Sequence, residues 1–267
     1  TWAPRQSRAI LAFPDGANVS YDFDTKQQVS LPAHWEQFSF SPSGEQIAGL
    51  NIALDRENRW LFASDPDGKN LQSIEALGNY ANRVTVSWSP NDQVIAFSRT
   101  GNDIGGERQQ ILLIGKNGEN FPGLVVEGYG FQPNWSPNGS RILYSAARSD
   151  NDYKPALWIV GGSGNTMGAN RQLLRVNTWA NKCTFASEEA LYCAVPIVLD
   201  RGVGLTPALA DTVPDTIERI DLTTGARTTV ARPETDASVH DLSIAPDGSR
   251  LYFTTKQDGK LHEMKLR

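Results

Sequence analysis

The chain has 267 residues, 39% of them hydrophobic and 21% charged, which is ordinary for a globular protein and sufficient for a sizeable core. Its formal net charge is -5 and no Lys/Arg run exceeds two residues, so no nucleic-acid partner is expected. The longest apolar run, Leu191 to Leu199, carries Pro196 and is far too short for a spanning helix, and no signal peptide is visible.

In chain order, one pattern repeats. Trp2-Ala3-Pro4, read with one extra residue before Ala9-Ile10-Leu11-Ala12-Phe13, opens it. Phe40-Ser41-Pro42-Ser43-Gly44 precedes Gln46 to Leu50, and Trp88-Ser89-Pro90-Asn91-Asp92 precedes Val94 to Phe97. Trp135-Ser136-Pro137-Asn138-Gly139 precedes Arg141 to Tyr144. Phe185-Ala186-Ser187-Glu188 has lost the proline, and Ile244-Ala245-Pro246-Asp247-Gly248 closes the series. Each copy reads as strand, tight turn, strand. Their key positions, 4, 42, 90, 137, 187 and 246, lie 38 to 59 residues apart. A strand repeat of about 40–50 residues that cannot bury its face alone is the signature of a β-propeller.

After each copy come a third strand and usually a fourth, joined by turns such as Asp65-Pro66-Asp67-Gly68, Asn117-Gly118 and Thr224-Gly225. The fold expected is an all-β, six-bladed propeller of four-stranded antiparallel blades. Its blades would run over 1–33, 34–79, 80–128, 129–177, 178–233 and 234–267, in one domain. The last blade ends after Leu261 to Lys265 and is expected to lack its outer strand. The chain also opens inside a repeat, so a leader or membrane anchor is expected to precede Thr1, which is the sole membrane link foreseen.

This assignment sorts the loops onto two faces. Short Ser-Pro-Asn-Gly turns share one. The other receives 51–58, 100–108, 148–155 and the long 196–216 stretch, where Thr206-Pro207 reads as a helix cap and first-turn proline. Elaborate loops on a rigid scaffold tend to carry function. These are acidic, with Asp55, Glu57, Asp103, Glu107, Asp150, Asp152, Asp200, Asp211 and Asp215. The blade crossings on the same face bring His34, Trp35, Tyr80, Tyr129, Phe131 and Trp179. An aromatic ring bordered by carboxylates suits a protein or peptide partner, with a glycan or another copy of the chain as alternatives. The binding set chosen is Trp35, Tyr80, Tyr129, Phe131, Trp179, Asp103, Asp152 and Asp211. The competing assignment has the aromatics filling the channel or packing under loops.

Cys183 and Cys193 are the only cysteines and mirror one another about Glu188 in one hairpin. They form either a cross-strand disulfide, implying an oxidising compartment, or two small buried residues in a reducing one; the disulfide is preferred. Asp22-Phe23-Asp24 and Asp65 to Gly68 are hairpin turns rather than calcium loops. His34, His240 and His262 lack metal-ligand spacing. No catalytic residue, metal or cofactor is expected.

The Trp/Phe-Ser-Pro-Asp/Asn-Gly turn followed by Ile-Ala-Phe-like strands resembles the TolB-like propeller repeat, found in TolB and in the propellers of prolyl-oligopeptidase-type and tricorn-type peptidases. That resemblance covers essentially the whole chain and implies the fold. Thr178 to Phe185, Leu191 to Pro196 and Ala210 to Asp215 are further similar to bacterial propeller proteins that carry an upstream membrane anchor. This implies a periplasmic, cell-surface or extracellular location. The function expected is a non-catalytic binding or assembly propeller of the cell envelope; the alternative is a propeller hydrolase or lactonase with a divalent metal at the channel mouth.

Overall fold

A computed structural model describes residues 1–119, 121–233 and 237–266. The fold is a six-bladed β-propeller of antiparallel meanders. The first blade holds β1 (Arg8–Ala12), β2 (Asn18–Asp22) and β3 (Gln27–Leu31). The second holds β4 (Trp35–Phe40), β5 (Ile47–Asn51), β6 (Trp60–Ser64) and β7 (Gln72–Ala76). In the third, β8 (Val84–Val86), β9 (Val94–Ser98) and β11 (Arg108–Gly115) are joined by a short β10 (Asp103–Gly105) and by β12 (Leu124–Glu127), both paired to β11. The fourth has β13 (Tyr129–Trp135), β14 (Arg141–Ala147), β15 (Pro155–Gly161) and the two-residue β16 (Gln172–Leu173). The fifth has β17 (Cys183–Ser187), β18 (Ala190–Pro196), β19 (Asp215–Asp221) and β20 (Arg227–Ala231). The sixth has three strands, β21 (Val239–Ile244), β22 (Arg250–Thr255) and β23 (Leu261–Lys265), as the sequence implied. The expected start of that blade, residue 234, lies outside the described residues. No described helix is long and apolar enough to cross a membrane.

The repeated turn explains the repeat. The serine N–H bonds the carbonyl five residues on, Ser41 to Gln46, Ser89 to Val94 and Ser136 to Arg141, at 2.7–2.9 Å. The serine Oγ accepts from the same incoming strand: Gln46 N at 3.1 Å, Val94 N at 2.9 Å, Arg141 N at 3.1 Å. The residue three after the serine has left-handed φ, which glycine adopts freely: Gly44 at 77° and Gly139 at 72°. The third turn places Asp92 there at φ 60°, and its carboxylate accepts from Trp88 Nε1 at 2.6 Å. The first turn, read from sequence as one residue longer, has the same span: Ala3 N–H bonds Arg8 O at 2.9 Å, and Trp2 bridges Ala9.

The chain divides into two compact units, Thr1–Asn102 with Gln110–Leu124, and Asp103–Gln109 with Val125–Arg267. In the first, alternate strand positions build two apolar layers, one around Ile10, Trp35, Ile47 and Phe62, the other around Leu50, Leu61, Val84 and Ile95. In the second, Leu143, Leu157, Leu191 and both cysteines form one layer, and Ile217, Val239, Leu251 and Phe253 another.

Candidate binding face

The elaborated face of the second unit is built on the 197–214 loop between β18 and β19. Trp179, Val203 and Ala210 are buried together beneath it, with Leu199 and Val213 packed alongside. Two backbone bonds tie it to the neighbouring loop, Gly202 N to Asp152 O at 2.8 Å and Gly204 N to Tyr153 O at 2.9 Å. That neighbour is itself held by Glu107, whose carboxylate accepts from Tyr153 Oη at 2.7 Å and Ser149 Oγ at 2.6 Å. These donors hold the Glu107 carboxyl below its ordinary range. So fastened, the loop turns Ile197, Val198, Leu205 and Leu209 outward, at 50, 61, 49 and 65% exposure. A Cβ at Gly130 would lie 3.1 Å from Gly204 O, so the strand that begins with Tyr129, itself 46% exposed, approaches this loop at Gly204. The Pro207–Ala210 segment forms the single helical turn foreseen, with proline in the first turn, but the Thr206 side chain makes no cap bond.

The sequence-selected aromatics separate by burial. Tyr129 and Tyr80 are exposed; Tyr80, in the first unit, carries the Arg83 guanidinium 5.3 Å above its ring. Trp35, Phe131 and Trp179 are buried and offer no ring to a partner. Trp35 packs on Phe62, with centroids 4.1 Å apart, and Phe131 on Tyr144 at 5.6 Å. Trp35 lies in the apolar layer between strands, its ring tip 3.8 Å from where a Cβ on Gly68 of the β6–β7 turn would stand, and Trp179 packs against Val203 and Ala210 of the long loop.

The loop carboxylates are largely engaged. Asp103 accepts from Gly105 N, Asp150 lies 3.3 Å from Arg148, Asp152 4.0 Å from Lys154 and Asp211 3.5 Å from Lys256. Asp215 is not a loop acid at all. It opens β19 fully buried, its Oδ2 accepting from Lys182 Nζ at 2.8 Å and Val239 N at 2.6 Å. The inner-strand amides likewise serve the frame: Gln37 Oε1 accepts from Val86 N in the first unit, and Asn134 Nδ2 donates to Cys183 O in the second. Asp67 accepts from Lys69 N within its turn, as a hairpin carboxylate does. Among the described residues no three His, Cys, Asp or Glu side chains sit where they could hold a metal.

Cys183 and Cys193 are directly opposed in register, with Cα atoms 4.1 Å apart, and are disulfide-bonded. That bond is consistent with an oxidising compartment. Sequence reasoning missed Ile197, Val198, Leu205 and Leu209. Their signal was four apolar residues in an irregular stretch without strand alternation.

No protein-family model and no curated protein matches the sequence. Among solved structures, the chain is similar to an oligogalacturonate lyase in complex with manganese, with TM-score 0.63 and 15% identity over 98% of this chain and 74% of that one. It is similar to TolB from Acinetobacter baumannii, with TM-score 0.59 and 13% identity over 97% of this chain and 60% of TolB. The tricorn protease matches with TM-score 0.61 and 12% identity, over 97% of this chain but only 28% of the protease. This chain thus spans less than two thirds of the TolB and tricorn chains. What likenesses at such identity carry is the fold: the chain is a six-bladed β-propeller, similar in fold to TolB, the lyase and the tricorn propeller.

Proposed function

We propose that this chain is a non-catalytic binding propeller of the cell envelope or extracellular space, which holds a protein or peptide partner on the loop face of its second unit. The carrying observation is the pinned 197–214 loop with Ile197, Val198, Leu205 and Leu209 turned to solvent. Exposed apolar side chains on a fixed support lose little entropy on docking, which favours a specific partner. Tyr129, exposed at the start of the strand that approaches the loop at Gly204, adds an aromatic anchor of the kind enriched in protein interfaces. The disulfide supports the compartment. The same fold occurs in TolB, in a lyase and in peptidases, so the site rather than the fold supports this choice.

The test is a photo-crosslinking residue placed at Leu209 and, separately, at Asn138 on the short-turn face, in the native host. The captured partner is then titrated against the purified chain. A protein should crosslink from 209 and not from 138, and Val198→Ser with Leu209→Ser should weaken its binding about tenfold or more. Crosslinks only from 138, or unchanged affinity of the double variant, would overturn the assignment. Capture of another copy of this chain would replace an external partner by self-assembly.

A further inference from the structure

In the second unit, two cavities of about 310 and 250 Å3 have Arg175 and Asn177 in both linings. The larger has a cause in the sequence. In the β14–β15 register Tyr144 faces Trp158 and, one row on, Ala146 faces Ala156, so two small side chains stand next to two large ones on one side of the sheet. That leaves a depression at the alanines, with Trp158 and Leu173 on its wall. The smaller cavity runs along Val195 to Leu199, and so takes in Ile197 and Val198 of the proposed binding surface.

Among the described residues the two linings hold four cations, Arg148, Lys154, Arg175 and Arg227, against one carboxylate, Asp150. Arg148 is paired with Glu127 and Asp150, Arg227 with Glu218, and Lys154 lies 4.0 Å from Asp152. Arg175 differs: its guanidinium has no hydrogen bond or ion pair among the described residues. Its backbone, by contrast, is fixed. Leu174 N–H bonds Leu157 O at 2.9 Å, but Leu157 N–H bonds Val176 O at 3.0 Å, so the chain bulges at Arg175, which takes φ 56°. Arg175 O accepts from Arg227 Nη1 at 3.1 Å. Left-handed backbone is costly for any residue but glycine, and a bulge re-aims the side chain it carries. Asn177 adds a second donor: its Oδ1 accepts from Asn151 Nδ2 at 3.4 Å, which leaves its own Nδ2 without a protein partner among the described residues. Arg175 is exposed and Asn177 half-buried, so both residues meet solvent.

Two neighbouring donors, one of them charged, answer a carboxylate. A bare anion would leave the apolar surfaces of both cavities in water. A polypeptide carries carboxylate and apolar side chains on one backbone, alternate residues standing about 7 Å apart when it is extended. We propose that the partner of this face presents an extended acidic segment, an Asp or Glu flanked by apolar residues. Its carboxylate meets Arg175 and Asn177, one apolar side chain enters the depression at Ala146 and Ala156, and another lies against Ile197 and Val198. This inference rests on the reading of the face as a site for a polypeptide, and names the chemistry of the segment that docks.

The probe is a phage-displayed library of random seven-residue peptides, selected on the purified chain. Enriched peptides should carry Asp or Glu beside an aromatic or large aliphatic residue. Arg175→Gly removes the guanidinium and suits the left-handed backbone, so it keeps the fold and should weaken those peptides about tenfold. Ala156→Leu fills the depression and should weaken them about as much; if it does not fold, Leu173→Ser takes its place. Changing the acid of the peptide to its amide should give the same loss on the unaltered chain. Enrichment of neutral or basic peptides, no enrichment, or unchanged affinity in Arg175→Gly would overturn the proposal. So would full competition by millimolar inorganic phosphate, which would mean a bare anion site. Crosslinking from Leu209 with no peptide dependent on Arg175 sinks this inference alone, whereas Arg175-dependent peptides without crosslinking from Leu209 sink the loop assignment alone.

Discussion

Replacing Lys182 by methionine separates a buried charge from its partner. Lys182 is 5% exposed and Asp215 not at all, and Nζ lies 2.8 Å from Oδ2. Asp215 keeps one donor, Val239 N at 2.6 Å, while its Oδ1 has none. Removing one member of a buried pair costs about 3–5 kcal/mol, because the remaining charge stays out of water uncompensated. Burial already raises the Asp215 carboxyl above its ordinary value, with Lys182 pulling the other way. The folded chain therefore holds this proton more tightly than the unfolded one. Its contribution is fully present below the unfolded value of 3.8 and is lost as pH rises through the folded value. Without Lys182 the folded value rises further. Denaturant unfolding of Lys182→Met should thus show the full loss near neutral pH and a smaller one near pH 4.5. Lys182→Met with Asp215→Asn, which keeps an acceptor for Val239 N, should recover most of it. A loss equal at both pH values, or below about 1 kcal/mol at neutral pH, would refute the uncompensated-charge account.

Three further outcomes follow from the frame. Closing a loop of sequence separation 10 stabilises by about 3 kcal/mol, so Cys183→Ala with Cys193→Ala should lower Tm by about 5 °C or more, and alkylation of the unreduced native-sequence chain should find no free thiol. A Cβ at Gly49 would lie 2.7 Å from Phe62 Cζ, a ring buried against Trp35, so Gly49→Ala should cost about 1–3 kcal/mol in denaturant unfolding. Asp22, held down to about 2 by Thr25 N–H and Arg8, contributes stability that is present above 3.8 and lost as pH falls toward 2. Asp22→Asn should flatten that part of an acid titration of stability and leave the neutral region nearly unchanged.

The frame was legible because its chemistry is local. A serine whose Oγ and N–H both serve a strand five residues on, with a left-handed residue between, leaves a fixed spacing in the sequence, and mirror positions in one hairpin set the Cys183–Cys193 register. The face was less legible. Trp35, Phe131 and Trp179 were read as aromatics of a channel mouth, and they are buried by partners distant in sequence: Phe62, Tyr144 and the loop residues Val203 and Ala210. Asp215 reads as a loop acid because its partner, Lys182, is 33 residues away.

This difference in legibility bears on which face can bind. On the short-turn face the motif consumes its own polar groups: Ser41, Ser89 and Ser136 each accept from the incoming strand, and Asn138 Oδ1 takes Ser140 N at 2.7 Å. Even Glu188, where the proline is lost, accepts from Asn138 N at 2.9 Å. A surface whose groups are already satisfied gains little by meeting another molecule. The loop face of the second unit has the opposite balance, with apolar side chains held in water. That imbalance falls when a partner covers it, by removing apolar area from water. The loop that carries them is already fastened by Trp179, Val203 and the Asp152 and Tyr153 carbonyls, so little ordering cost opposes that gain.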